Sequence, residues 1–324
     1  MQGLLTFEGQ TAPATREAVE QHLKDQTFFW LDLDGVDDEA RDLLLQGFKI
    51  HPLAVEDAQK FHERPKVDSY DDFTYLVVYG AGADLSSTEE VHFIFGEHFV
   101  ITVHRGACGA MVAAREQIGH HRATEFQTPQ IALIYLVITQ LVDSFIPSLN
   151  TLDNQIDDLE DAILVKPTEA QLGTLFTMKR QLINVRKVIT PERDVFASIS
   201  SGVVGLPGIT DNGLRYMRDI YDHLIHISDS VDEYRDLLSG VMDTHLSTVS
   251  NRLNVVMKQL TIIATVFLPL SFLTGFFGQN FSWLVAHIVG GWPFVIFGLG
   301  LEVVSAIGLL YMFRKRGWLG GPTN

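Results

Sequence analysis

The 324-residue chain has a single cysteine, Cys108, which excludes an intrachain disulfide and any cysteine-based metal cluster. Basic residues are scarce: 24 Lys and Arg face 40 Asp and Glu, a net charge of -16. Such a chain is a poor partner for nucleic acid and offers a surface that attracts cations. It has no recognisable Ser/His/Asp order, phosphate loop or catalytic carboxylate pair, so no enzyme is expected. No signal peptide is expected, because Met1–Glu8 has no basic start and no apolar core follows it. The most telling absence is charge near the C-terminus. Leu260–Phe277 carries none, and within Trp292–Phe313 only Glu302 does. Each run is near the ~20 residues a helix needs to cross ~30 Å of hydrocarbon.

What remains is a long, acidic, water-facing body followed by an apolar hairpin. Arg252 and Lys258 precede the first run, and Arg314, Lys315 and Arg316 follow the second. The connection Gly278–Gly291 has no Lys, Arg, Asp or Glu. Positive charge marks the cytoplasmic flank. Both termini are therefore expected in the cytoplasm, with the 279–291 loop outside an inner (cytoplasmic) membrane.

Up to about Arg105 the pattern is mixed α/β. The runs Thr27–Leu33, Phe73–Tyr79, Val91–Phe95 and Phe99–Val103 are β-branched and aromatic, punctuated by Asp34-Gly35 and Gly80–Gly82. Helices are expected over Asp37–Gln46 and Pro52–Lys60. Beyond Arg105 the three- and four-residue spacing predicts helices over Pro129–Val165 and Thr168–Ile189. Lys166-Pro167 and Thr190-Pro191 are expected breaks, and Ser200–Gly208 a loop. From Gly213 to Leu268 there is no proline, and Tyr216, Ile220, Leu224, Ile227, Val231, Tyr234 and Leu238 form a helical stripe. One helix there would run ~80 Å before the membrane, and its stripe points to packing against neighbouring copies. A break near Gly240 would give two helices instead. The expected segments are a cytoplasmic domain (1–208), a stalk helix (209–258), a first span (259–278), an external loop (279–291), a second span (292–313) and a basic tail (314–324).

Along the stalk end and first span, Asn254, Met257, Leu260 or Thr261, Ala264, Leu268, Ser271, Gly275 and Gly278 share roughly one helix face. In a ring of helices that face makes a pore, with apolar constrictions and polar rings. In a pair of helices its small residues make a close-packed seam. Periodicity alone favours neither. Gln279 and Asn280 add neutral amide oxygens, which suit the water shell of a reluctantly dehydrating ion such as Mg²⁺. Near this mouth no His/Cys set offers the softer ligands of a zinc site, and His287 stands alone there. His120-His121 are adjacent and point to different helix faces. His51-Pro52 looks like a helix start. Glu302 is either a functional contact to the first span or a neutral, hydrogen-bonded acid; at mid-span its charge would cost at least ~2.5 kcal/mol.

The stretch Val249–Phe281, ending Thr-Gly-Phe-Phe-Gly-Gln-Asn-Phe, resembles the stalk end, pore helix and signature turn of the CorA family of divalent-cation channels. The resemblance extends in order through His51-Pro-Leu-Ala-Val-Glu-Asp, Arg64-Pro-Lys-Val, Lys179-Arg-Gln-Leu, Tyr216-Met-Arg-Asp-Ile-Tyr-Asp-His and Arg314-Lys-Arg-Gly-Trp-Leu. It implies a funnel-shaped homopentamer with an α/β cytoplasmic domain, a long stalk helix and two transmembrane helices, the first lining the pore. It further implies that Asn280 meets hydrated Mg²⁺ and that Asn254, Met257, Leu260, Leu268, Ser271 and Gly275 face the ion path. Glu56, Asp57 and Asp219, with Asp143 a weaker candidate, would bind regulatory Mg²⁺ between subunits; the alternative is solvated surface acids. The family's turn is Gly-Met-Asn, whereas this chain has Gly278-Gln279-Asn280, and its loop lacks the acids many relatives carry there.

The expected activity is thus passage of divalent cations, Mg²⁺ first with Co²⁺, Ni²⁺ or Zn²⁺ as further candidates. The membrane potential drives it, so no ATP site is needed, and the expected partners are the lipid bilayer and copies of the chain itself. A zinc-preferring, proton-coupled transporter and a non-conducting metal-sensing scaffold are the rivals.

Overall fold

A computed structural model describes residues 1–120, 128–287 and 290–318. The chain forms two units, Met1–Met242 and Asp243–Asn324.

The first unit holds a seven-stranded sheet of β1 (Gly3–Phe7), β2 (Gln10–Pro13), β3 (Phe29–Asp34), β4 (Lys66–Ser69), β5 (Thr74–Ala81), β6 (Thr88–Phe95) and β7 (Phe99–His104). Their order is β2-β1-β3-β7-β6-β5-β4, and only β3 and β7 pair in parallel. Side chains alternate between faces, so neighbours on a strand serve different cores. Leu31, Leu33, Tyr75, Val77 and Ile101 belong to a core with α1 (Arg16–Asp25), α2 (Asp38–Asp42, continued by a π-helical turn at Leu43–Gly47) and α3 (Pro52–Lys60). Trp30, Leu76, Val78, Phe93 and Val100 enter the other core, with α4 (Gly109–His120), α5 (Pro129–Asp143), α6 (Phe145–Val165), α7 (Glu169–Ser200) and the start of α8 (Asp211–Phe277). Burial on both faces is why the central strands read as near-continuous apolar runs.

The four expected strands are β3, β5, β6 and β7. Strand β1 and the edge strands β2 and β4 lacked a signal, and β2 is exposed throughout. Helix α3 starts as read: His51 accepts from the Leu53 N–H at 3.2 Å and Pro52 occupies the first turn. Two helical expectations need correction. The single run 129–165 is two helices meeting at Ser144, whose hydroxyl accepts from the Ala81 N–H at 2.7 Å. Helix α7 passes through Pro191 rather than stopping there. An interior proline costs about 3 kcal/mol, and the continued burial of Phe196 and Ile199 on α7 offsets it. The long helix is unbroken at Gly240. Its stripe is served within the chain: Ile220, Leu224, Ile227, Val231 and Leu238 are buried in the same core as α5–α7, with Tyr216 and Tyr234 half-buried against it. That part of the stripe therefore gives no evidence for neighbouring copies.

Three helical stretches have the length and apolar character to cross a membrane: Pro129–Val165, part of Asp211–Phe277, and Gly291–Lys315. In the first, 44% of the apolar window is buried inside the chain, whereas in the other two none is. Apolar surface of that extent is not left to water, which makes the last two the stronger candidate spans.

The second unit contains the remainder of α8, α9 (Ser282–His287) and α10 (Gly291–Lys315), which includes a π-helical stretch at Phe294–Gly300. Gly317, at φ +70°, closes α10, and the Trp318 N–H reaches back to the Phe313 carbonyl at 2.8 Å. Trp318 stacks on the buried Phe313 ring at 5.6 Å. Lys258 donates to the Gly317 carbonyl at 3.3 Å, tying the two ends of the hairpin.

Candidate ion pathway and metal sites

Helix α8 has two faces within the second unit. Lys258, Ile262, Val266, Pro269, Leu270, Leu273 and Phe277 recur every three or four residues and are half-buried. At ~100° per residue, positions two apart in sequence lie on nearly opposite faces. Asn254, Met257, Leu260, Thr261, Ala264, Leu268, Ser271 and Gly275 are all exposed, Leu268 at 76%. The chain thus brings the expected pore residues onto one open face and packs none of them.

Gly275 sharpens the point. A Cβ built there meets nothing within 4 Å, so no contact inside the chain requires a glycine. At Gly278, by contrast, a Cβ would lie 3.0 Å from the Thr274 carbonyl. There the Gly278 N–H bonds the same carbonyl at 2.9 Å and the Gln279 N–H reaches the Phe276 carbonyl at 3.3 Å. The helix ends, and Gln279, Asn280 and Phe281 follow in exposed, non-helical backbone. Both amide side chains have no partner among the described residues. They are free to meet a hydrated ion, whose first-shell waters are good donors to carbonyl oxygens.

Other residues are less available. His287 bonds the Trp283 carbonyl at 2.9 Å and stacks on its ring at 4.6 Å, so it is a local helix contact. Glu302 lies on the half-buried stripe of α10 with Ser305, Ala306, Leu309 and Met312. His121 lies outside the described residues, so the His120-His121 pair has no structural counterpart.

The four candidate regulatory acids do not form one cluster in the chain. Glu56 pairs with Lys60 one turn along α3. Asp57 meets Lys66 at 2.6 Å, and Lys66 also faces Glu63 at 3.6 Å and Asp68 at 3.4 Å. Burial opposes the charge on Lys66, yet the Asp57 bond and the surrounding carboxylates raise its pKa. Asp219 on α8 accepts from the Tyr135 hydroxyl at 2.8 Å, and burial followed by that bond pushes the phenol up to about 12. Asp143, at the end of α5, meets His223 at 2.8 Å, one turn beyond Asp219. Asp143 and Asp219 therefore belong to one patch, Glu56 and Asp57 to another. Among the described residues no three His, Cys, Asp or Glu side chains are arranged to hold a metal. Sequence reasoning missed Tyr135, Lys66 and His223. The last two were visible only as members of the Arg64-Pro-Lys-Val and Tyr216–His223 runs, and nothing in spacing pairs Tyr135 with Asp219.

Comparison with known proteins places this geometry. Residues 25–315 match the family described as CorA-like Mg²⁺ transporter protein. The cobalt/magnesium transport protein CorA of Thermotoga maritima is 34% identical over 296 residues, covering 90% of this chain and 83% of that protein. The zinc transport protein ZntB of Pectobacterium carotovorum is 31% identical over 184 residues, 56% of this chain and 54% of its own. The complete structure of the CorA magnesium transporter from Methanocaldococcus jannaschii shares the fold with a TM-score of 0.81, at 20% identity and over 98% of this chain and 99% of that one. With the family matched over most of its length and a relative this similar across nine-tenths of it, the chain belongs to the CorA-like Mg²⁺ transporter family.

Proposed function

We propose that the chain is a transporter of divalent cations, Mg²⁺ foremost and Co²⁺ or Ni²⁺ alongside, working as a homopentamer in the inner membrane with both termini in the cytoplasm. The observation that carries this reading is the open face of α8 from Asn254 to Gly275, leading to the unpartnered amides of Gln279 and Asn280. Five copies would turn that face inward, with Met257, Leu260 and Leu268 as apolar rings and Asn254, Ser271 and Asn280 as polar ones. The segments follow as 209–258 stalk, 259–278 pore span, 279–291 external loop and 292–313 outer span. An inward-negative potential of 100 mV contributes ~4.6 kcal/mol per divalent ion. No ATP is required.

Regulation is assigned to Glu56, Asp57 and Asp219, with Asp143 in support. Two acid patches that stay apart in one chain are suited to meet across a subunit boundary, where Mg²⁺ would offset their repulsion. A second reading is zinc transport, favoured by Gln279 in place of methionine and by the partial likeness to ZntB.

Purified full-length protein in liposomes, loaded with fluorescent divalent indicators and given Mg²⁺, Co²⁺, Ni²⁺ or Zn²⁺ with and without a pH gradient, separates the readings. Potential-driven Mg²⁺ flux supports the proposal. Zn²⁺ flux that follows the pH gradient supports the second reading, and no flux of any ion leaves a metal-sensing scaffold. Native mass spectrometry tests the five-fold assembly.

A further inference from the structure

One cavity in the first unit runs against the charge of the whole chain. It has a volume of about 760 Å³ and lies where the segment after α3 meets α7 and α8. Arg64, Arg186, Lys187 and Arg235 line it, with Glu63 as the only carboxylate in the lining. In a chain of net charge -16, four cations around one hollow are not a sample of the surface. They are also under-used. Arg64 and Lys187 are exposed and have no acidic partner among the described residues. Arg186 and Arg235 approach the same Asp232 oxygen at only 3.4 and 3.3 Å, and that oxygen makes no hydrogen bond. Apolar residues share the lining with them: Pro65, Leu182, Ile183, Pro191 and Val231.

We propose that this cavity binds a small, multiply charged anion carrying a phosphate chain. Guanidinium groups match phosphate oxygens two at a time, and a hollow lined by one sign of charge concentrates the opposite sign. The volume suits a ligand of nucleotide size, and the apolar part of the lining is where a base would lie. Such an anion would join α7, α8 and the segment bearing Lys66, the residue that holds Asp57. It acts as an effector and supplies no energy for transport.

The test is calorimetry on the detergent-solubilised full-length protein in metal-free buffer, titrated separately with tripolyphosphate and with ATP. Both should bind, with affinity falling as salt rises. Arg64→Gln with Arg186→Gln should weaken binding about tenfold or more, since bonds between charged groups are the strong ones. Arg16→Gln with Arg41→Gln, on α1 and α2 and outside the lining, serves as the charge-matched control and should leave binding unchanged. If the double variant loses its native oligomer, Lys187→Gln alone takes its place, with a smaller weakening expected. Tighter ATP than tripolyphosphate places a base on the apolar part of the lining, and equal affinity means the phosphate chain alone is read. Absence of binding by the unaltered protein, including because a neighbouring subunit's acids fill the cavity, overturns the proposal. So does equal loss in the control. Ion flux is not measured, so failure here leaves the transport reading intact.

Discussion

Gln279 and Asn280 stand together at the end of α8, both exposed, both amides, and their roles separate by chemistry. In the proposed channel Asn280 meets the hydrated ion, whereas Gln279 stands where the resemblance leads one to expect methionine. If the Gln279 oxygen touches a partly dehydrated ion, it favours ions that shed water more readily than Mg²⁺. Gln279→Met should then raise the Mg²⁺-to-Zn²⁺ flux ratio while transport persists; an unchanged ratio makes Gln279 a packing residue. Cys108 supplies a useful silence. It is 4% exposed, and burial foremost pushes its thiol up to about 12. At pH 8 the native protein should resist maleimide, which acts on the thiolate, while Asn280→Cys should be labelled and denaturant should expose Cys108. Labelling of the native parent protein would contradict the buried placement. Glu192 is fully buried, with one oxygen accepting from the Tyr79 N–H at 3.3 Å and the other without a partner among the described residues. Desolvation raises its pKa well above the ordinary carboxyl value. The folded protein keeps the proton that the unfolded chain releases above about pH 4.5, so this residue lowers stability as pH rises from there toward the folded pKa. Glu192→Gln should raise Tm at pH 8 by a few degrees, at about 2–4 °C per kcal/mol, with the gain shrinking toward pH 5. A constant difference across that range would remove ionisation as the cause.

Helix α8 joins two kinds of burial. From Ile220 to Val241 its apolar stripe is packed into its own chain, and Leu224 is fully buried. Leu224→Ala should cost 2–5 kcal/mol of stability by leaving a cavity, read as a lower midpoint in denaturant. Past Met242 the exposed face has no such partner, and Gly275 tests what covers it. Because nothing inside the chain is within 4 Å, Gly275→Phe should fold normally. In a pore it narrows the path and suppresses flux with the oligomer intact. In a helix seam it breaks the oligomer, and against lipid it does neither. The elements themselves were unequally legible. The β3, β5, β6 and β7 runs announced themselves because both faces are buried and most positions are apolar or aromatic. Gln10–Pro13 is exposed and polar, so it held no pattern to read. Pro191 pointed to a break because local propensity was weighed without the buried residues beyond it.

At the scale of the molecule, two apolar runs with Glu302 as their one acidic or basic residue pointed to a membrane hairpin, and the ordered motifs pointed to the family. What sequence could not give was contact. The likeness of Glu56, Asp57, Asp219 and Asp143 as acids concealed that they occupy two patches, each held by a different basic or phenolic partner. Their joint role therefore depends on assembly. Asp219→Ala, alone or with Asp57→Ala, should shift the block by cytoplasmic Mg²⁺ to higher concentration in current recordings; an unshifted block makes them surface acids. The central claim is that the open face of α8 conducts and that Asn280 receives the ion at its mouth. Uptake of Mg²⁺ into liposomes by Asn280→Ala, beside the unaltered protein and with oligomer mass checked in the same preparation, tests it most directly. The account predicts that uptake falls to near background while the oligomer is unchanged; undiminished uptake by an intact Asn280→Ala oligomer would contradict it.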